Sequence, residues 1–131
     1  MHQIGEVAET AGLSLRTIRH YEEIGLVRPS GRSAGGFRLY TDDDIERLRL
    51  VKHMKPLDFS LDEMRDLLEA QDRLAAGTGD PEDTARTCER LAAYAAAAEQ
   101  RCQVLRAQLR AAESMAGLLR REASRRHGAR L

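Results

Sequence analysis

The stretch SLRTIRHYEEIGLVRPSGRSAGGFRLYT, Ser14 to Thr41, decides how the chain folds. Its first part has helical spacing, with Leu15 and Ile18 on one side and Arg16, Arg19 and His20 on the other. Basic donors come early, and the acids Glu22 and Glu23 are held back to the end. Ser14 is placed to cap the helix by accepting a backbone N–H of its first turn, and Gly25 ends it. Beyond Gly25, Leu26–Arg28 and the FRLY segment read as two short extended pieces around a Gly/Ser-rich turn, a β-hairpin with Arg32 and Arg38 at its tip and returning strand. Upstream, Ile4, Val7, Ala8 and Ala11 recur at helical spacing, so residues 3–11 form a first short helix broken at Gly12-Leu13. Two short helices around a Gly-containing turn, followed at once by an Arg-tipped hairpin, give a winged helix-turn-helix.

Working outward, three further helices have their own start signals. Thr41 precedes Asp42, Asp43 and Asp44, which puts acids at the positive end of a helix dipole, and Ile45, Leu48 and Val51 supply the apolar face. Ser60 and Glu63 have the spacing of a capping box, with Phe59 and Met64 at the two positions of a hydrophobic staple. The break Gly77-Thr78-Gly79 is followed by Asp80 as an N-cap and Pro81 at the first helical position. From there Cys88, Leu91, Ala95, Ala98, Cys102, Leu105, Leu109, Ala112, Ala116 and Leu119 alternate steps of three and four. That is an unbroken heptad seam, the pattern of a coiled coil. At about 1.5 Å per residue, a helix over 81–119 is far longer than the domain before it, so its seam needs another chain. The expected organisation is a mainly α protein: a winged helix-turn-helix domain with a small β-hairpin wing over 1–76, a linker at 77–80, a dimerisation helix over 81–119 and a flexible basic tail over 120–131.

The chain has 131 residues, 32% of them charged, no Trp and five Phe or Tyr, which is thin material for one deep core and again points to self-association. Its 21 Lys and Arg balance 21 Asp and Glu. The balance is global but not local: residues 15–40 hold five arginines against two glutamates, and residues 117–131 five arginines against one glutamate. Basic patches on a neutral chain suit site-directed nucleic-acid contact better than bulk adhesion. The sequence has no apolar stretch long enough to cross a membrane and no signal-peptide layout, so a cytoplasmic, nucleoid-associated protein without membrane contact is expected, with its two cysteines reduced.

These segments together resemble the N-terminal DNA-binding domain of the MerR family of bacterial transcription regulators over roughly residues 1–70. Arg19-Tyr21-Glu22-Glu23-Gly25-Leu26 matches its "RxYEExGL" segment, and Gly36-Arg38-Tyr40-Thr41 its "GxRxYT" segment. The resemblance implies a homodimer joined by an antiparallel coiled coil that binds an inverted-repeat promoter operator, distorts it and so controls RNA polymerase. By position it implies DNA contacts from Arg16, Thr17, Arg19, His20 and Tyr21 in the recognition helix. It also implies contacts from Arg32, Gly36, Phe37, Arg38 and Tyr40 in the wing, and from Lys55 in a second, helical wing. Cys88, Leu91, Ala95, Ala98, Cys102, Leu105, Leu109 and Ala112, along the heptad seam, are expected to form the dimer interface. Arg suits these roles because its fork of donors fits phosphate or the guanine edge, and a Tyr hydroxyl can donate to phosphate.

Two departures from the family pattern stand out. Asp58 replaces the Gly common before the "FSL" turn, with Pro56 two residues earlier. No Cys follows Cys102, whereas metal-sensing relatives carry closely spaced cysteines after the coiled coil. Cys88 and Cys102, 14 residues and about 21 Å apart on one helix, cannot share one ion within a chain. No metal site, no cofactor and no enzymatic centre are expected, and the small-molecule effector is unknown. Two other readings stay open: an effector-independent DNA-bending repressor or architectural protein, and a thiol redox sensor using Cys88 and Cys102.

Overall fold

A computed structural model describes residues 1–77 and 79–129, which fall into two compact units, residues 1–91 and residues from 92 onward. In the first unit a two-residue strand β1 (His2–Gln3) leads into α1 (Ile4–Ala11) and α2 (Leu15–Glu23). Strands β2 (Gly31–Arg32) and β3 (Arg38–Tyr40), then α3 (Asp42–Met54), α4 (Leu61–Ala76) and the start of α5 (Pro81–Ala129), complete it. The sheet is antiparallel in the order β1-β3-β2, with His2 opposite Tyr40 and Arg32 opposite Arg38. The wing hairpin is β2–β3, and β1 adds a third strand along its β3 edge. The outer strand of the hairpin is displaced from the expected Leu26–Arg28. Leu26 and Val27 are core residues instead, because their amides turn back to bond the Tyr21 carbonyl.

That turn is a Schellman motif. Gly25 takes φ 72°, its N–H bonds Glu22 O, and the Leu26 N–H bonds Tyr21 O. Gly12 performs the same stop for α1 at φ 68°, and a Cβ there would lie 2.7 Å from the Lys52 ammonium. The helix starts follow the sequence. The Ser14 hydroxyl accepts from Thr17 N at 3.1 Å, and both Thr41/Asp44 and Ser60/Glu63 form reciprocal capping boxes. Phe59 and Met64, the staple pair, are both buried. Around them Val7, Ile18, Val27, Tyr40, Leu48 and Val51 are the most deeply buried large side chains. Leu15 corrects the helical-wheel reading: at 40% exposure it is a surface residue, in the opening turn of α2.

The first unit includes the opening turns of α5. Thr87 is buried there, Arg90 reaches Asp66 at 2.5 Å and Glu69 at 2.6 Å, and Arg73 reaches Asp83 at 3.1 Å. Asp80 caps the helix by accepting from Glu82 N at 3.0 Å.

The second unit is the remainder of α5. The expected flexible tail is helical as far as Ala129, and only residues 130 and 131 of it lie outside the described residues. Along this helix Leu105, Leu109 and Leu119 of the heptad seam are exposed. So are Val104, Met115 and Leu118, which lie off that seam. Cys88 and Ala95 are exposed as well, and Leu91, Ala98 and Cys102 half-buried. No described helix is long and apolar enough to cross a membrane.

Candidate nucleic-acid interface

The surface of α2 carries Arg16, Arg19 and His20, all exposed, and neither arginine forms an ion pair or hydrogen bond among the described residues. Unpaired guanidinium groups on one helix face are the arrangement that phosphate and base edges need. Thr17 is partly committed already, since its hydroxyl lies 2.8 Å from the capping Ser14 hydroxyl. Tyr21 is 6% exposed, so its ring is mainly a core element and presents only a margin to solvent. Burial raises its phenol above the ordinary value, which keeps it a neutral donor.

The wing is held by a compact turn. Ser33 N bonds Phe37 O at 2.8 Å, Gly36 N bonds Ser33 O at 2.9 Å, and Phe37 N bonds the Ser33 hydroxyl at 3.1 Å. Gly36 takes φ 81°, a region open to Gly and costly for other residues. The turn leaves Phe37 64% exposed at the tip, an apolar ring in water. Arg32 donates to Gly36 O at 3.1 Å. Arg38 lies against Glu22 of α2, with Nε and Oε2 2.5 Å apart.

Tyr40 is a correction to the predicted contact set. It is fully buried, so it is a core residue of the wing and not a DNA contact. Arg38 and Tyr40 share one face of β3, but the strand carries the first to the rim and the second beneath the sheet. Burial, then the nearby Glu22 charge, raise the Tyr40 phenol above its ordinary value. Lys55 is exposed at the head of a single 3-10 turn, Lys55–Leu57, closed by Asp58 at φ 60°.

Several positions escaped motif reading because they touch backbone rather than ligand. Arg49 donates to Thr10 O at 3.2 Å and Lys52 to Ala11 O at 3.3 Å, so two cations of α3 hold the last carbonyls of α1. Arg65 of α4 donates to Ile24 O at the end of α2. Asp44, buried, accepts from the Ser30 hydroxyl and so fastens the wing approach to α3. Helix carbonyls attract cations through the macrodipole, but sequence spacing does not reveal which loop a distant Arg will reach. Among the described residues no group of three or more His, Cys, Asp or Glu is placed to hold a metal ion.

Comparison with known proteins adds to this geometry. Residues 3–71 match the sequence profile of the MerR HTH family regulatory proteins, and residues 45–121 that described as MerR, DNA binding. The HTH-type transcriptional regulator ZntR of Escherichia coli (strain K12) is 44% identical over 68 residues, 52% of this chain and 48% of ZntR. Across the first curated relatives the matched span is between 26% and 64% of the relative's own length. The crystal structure of MtaN, the N-terminus of the Bacillus subtilis multidrug transporter activator, aligns at TM-score 0.54 and 30% identity, covering 92% of this chain and 96% of MtaN. That of HiNmlR, a MerR family regulator lacking the sensor domain and bound to promoter DNA, aligns at TM-score 0.65 and 27% identity. It covers 83% of this chain and 75% of HiNmlR.

Proposed function

This chain belongs to the MerR family, and on that premise we propose that it is a sequence-specific DNA-binding transcription regulator. It binds an inverted-repeat promoter operator as an antiparallel homodimer in the cytoplasm and distorts that DNA to control RNA polymerase. The observation that carries this reading is the unpaired row Arg16, Arg19 and His20 on the exposed face of α2, flanked by a wing that bears Arg32, Phe37 and Arg38. The row enters the major groove and the wing lies on the flanking backbone. Lys55 adds a phosphate contact. The promoter complex of HiNmlR, whose fold this chain shares, supports DNA as the ligand.

The dimer supplies what one chain lacks. Leu105 and Leu109 stand exposed on the seam of α5, and an antiparallel pairing about Ala95 and Ala98 buries them against the partner's small residues and thiols. Two reading helices related by a two-fold axis require a symmetric operator. The chain has no enzymatic role in this reading.

The test is competition binding with a duplex recovered by in vitro selection and with its scrambled counterpart. Arg19→Ala is expected to lose roughly 1–3 kcal/mol on the selected duplex and much less on the scrambled one, the signature of a base contact. Equal binding of the wild-type protein to both duplexes would overturn sequence-specific recognition. In vitro transcription from a promoter bearing the selected site then separates a regulator of polymerase from a passive DNA-bending protein.

A further inference from the structure

We infer that Glu22 is a positioning residue for the wing: it pins the inner edge of the Arg38 guanidinium, so that the outer edge meets a DNA phosphate at a fixed offset from Arg16 and Arg19. The inference rests on the DNA-binding reading above and goes beyond it by naming a residue that carries no DNA contact itself.

The geometry is unusual for an exposed β-ribbon. Arg38 Nε and Glu22 Oε2 lie 2.5 Å apart, both atoms are shut off from solvent, and neither has a hydrogen-bond partner elsewhere. Their contact is a close ion pair whose angle falls short of hydrogen-bond geometry. Yet the Arg38 side chain as a whole is 38% exposed, against 19% for Glu22. With Nε buried, the exposed part of Arg38 is its outer portion. Arginine alone can divide its labour this way, since its rigid planar fork has donors on more than one edge. A lysine ammonium in the same place offers no second edge.

Local electrostatics say why an acid is needed. Arg32 sits directly opposite Arg38 across the β2–β3 pair, and like charges facing each other on neighbouring strands are unfavourable. Glu22 offsets that repulsion from outside the sheet, while Arg32 is tied to Gly36 O in its own turn. Glu22 also lies three residues beyond Arg19, one helical turn along α2, so the tether runs from the reading helix itself. The wing arginine is thereby indexed to the recognition row.

A phosphate contact is independent of base sequence, so a random-sequence duplex suffices as probe, titrated against the full chain at several salt concentrations. Arg38→Ala is expected to lower the slope of log affinity against log salt by about one phosphate equivalent. Glu22→Ala is expected to lower it by a similar amount although Arg38 is still present. The double variant should be no worse than either single one, because residues acting as a unit are not additive. Glu22→Gln keeps the shape of the side chain but loses the charge of the ion pair, and is expected to lower the slope as Glu22→Ala does. A loss of stability alone would move the melting temperature without moving the slope. Should Glu22→Ala fail to fold, Arg38→Lys, which keeps the charge and lacks the second edge, is expected to show the lowered slope instead. Tighter binding by Glu22→Ala with an unchanged or steeper slope would overturn the inference, as would a wild-type slope for Arg38→Lys; Glu22 would then merely neutralise a surplus cation. Failure of the wild-type protein to bind any duplex would instead sink the DNA-binding reading.

Discussion

The Asp44 carboxylate and the Ser30 hydroxyl, 2.7 Å apart, join two elements that lie 14 residues apart in sequence. The same carboxylate oxygen accepts from Thr41 N at 2.9 Å, completing the capping box of α3. One buried acid thus closes a helix start and anchors the approach to the wing. Asp44→Ala removes both functions and strands the Ser30 hydroxyl, at a cost of about 2–3 kcal/mol. Ser30→Ala should cost about 1 kcal/mol. Urea unfolding followed by circular dichroism measures the pair; no loss for Ser30→Ala beside a clear loss for Asp44→Ala would show that the cap alone matters.

His2 sits between two carboxylates, 2.7 Å from Asp42 Oδ1 and 3.1 Å from Glu6 Oε2. Asp42 first, then Glu6, raise its pKa above the ordinary 6.5, since both ring nitrogens can donate only in the imidazolium form. A raised folded-state pKa means that its contribution is fully present below about 6.5 and fades as pH climbs through the higher folded value. The melting temperature of wild-type protein is therefore expected to fall relative to His2→Gln across the range just above 6.5. Parallel curves for the two proteins would show that the clasp contributes nothing measurable, as solvent exposure permits.

Asp58 is the one described non-glycine residue at positive φ, closing the 3-10 turn at φ 60°. The left-handed region costs an L-residue roughly 1–2 kcal/mol, somewhat less for Asp, and glycine's extra unfolded-state entropy cancels part of the gain. Asp58→Gly is expected to stabilise the protein by about 0.5–1 kcal/mol. Calorimetry would register this as a rise in melting temperature.

Leu109 is exposed on the seam of α5. Leu109→Glu places a charge where the proposed partner helix packs, and burying an unpaired carboxylate costs more than the lost contact. Sedimentation equilibrium is expected to show a shift from dimer toward monomer, with operator affinity falling in step. A variant that remains dimeric would place the interface on another face of the helix, such as the row of Val104, Met115 and Leu118.

What was legible in the sequence was whatever short-range chemistry fixes. Ser14, Thr41, Ser60, Asp80, Gly12 and Gly25 each act within a few residues of themselves, and each helix boundary they mark is found there. The misreadings came where distant packing decides. His2–Gln3 is too short to show an alternation, and it becomes a strand only because β3 offers it an edge. Leu26 and Val27 look extended, yet the Schellman turn sends them into the core. Tyr40 shares a motif with Arg38, and a motif cannot say which of two residues on one strand face lies beneath the sheet. Glu22 looked like a late acid that spared the basic face. It is the partner of the wing.

Arg49 and Lys52 on the α1 carbonyls, and Arg65 on Ile24 O, give the paired helices an electrical polarity. Each helix is gripped by cations at its carbonyl end, where the dipole is negative, while only the neutral Ser14 hydroxyl caps the amide end of α2. The negative pole of the reading helix is therefore compensated from behind and its positive pole is not. A polyanion approaching the first turn of α2 sees a half-charge added to Arg16 and Arg19, while at the far end, beside the exposed Glu23, the dipole's own half-charge is covered by Arg65. The repulsion that the α2 carbonyl terminus would otherwise exert on phosphate is taken up by Arg65, a residue of α4.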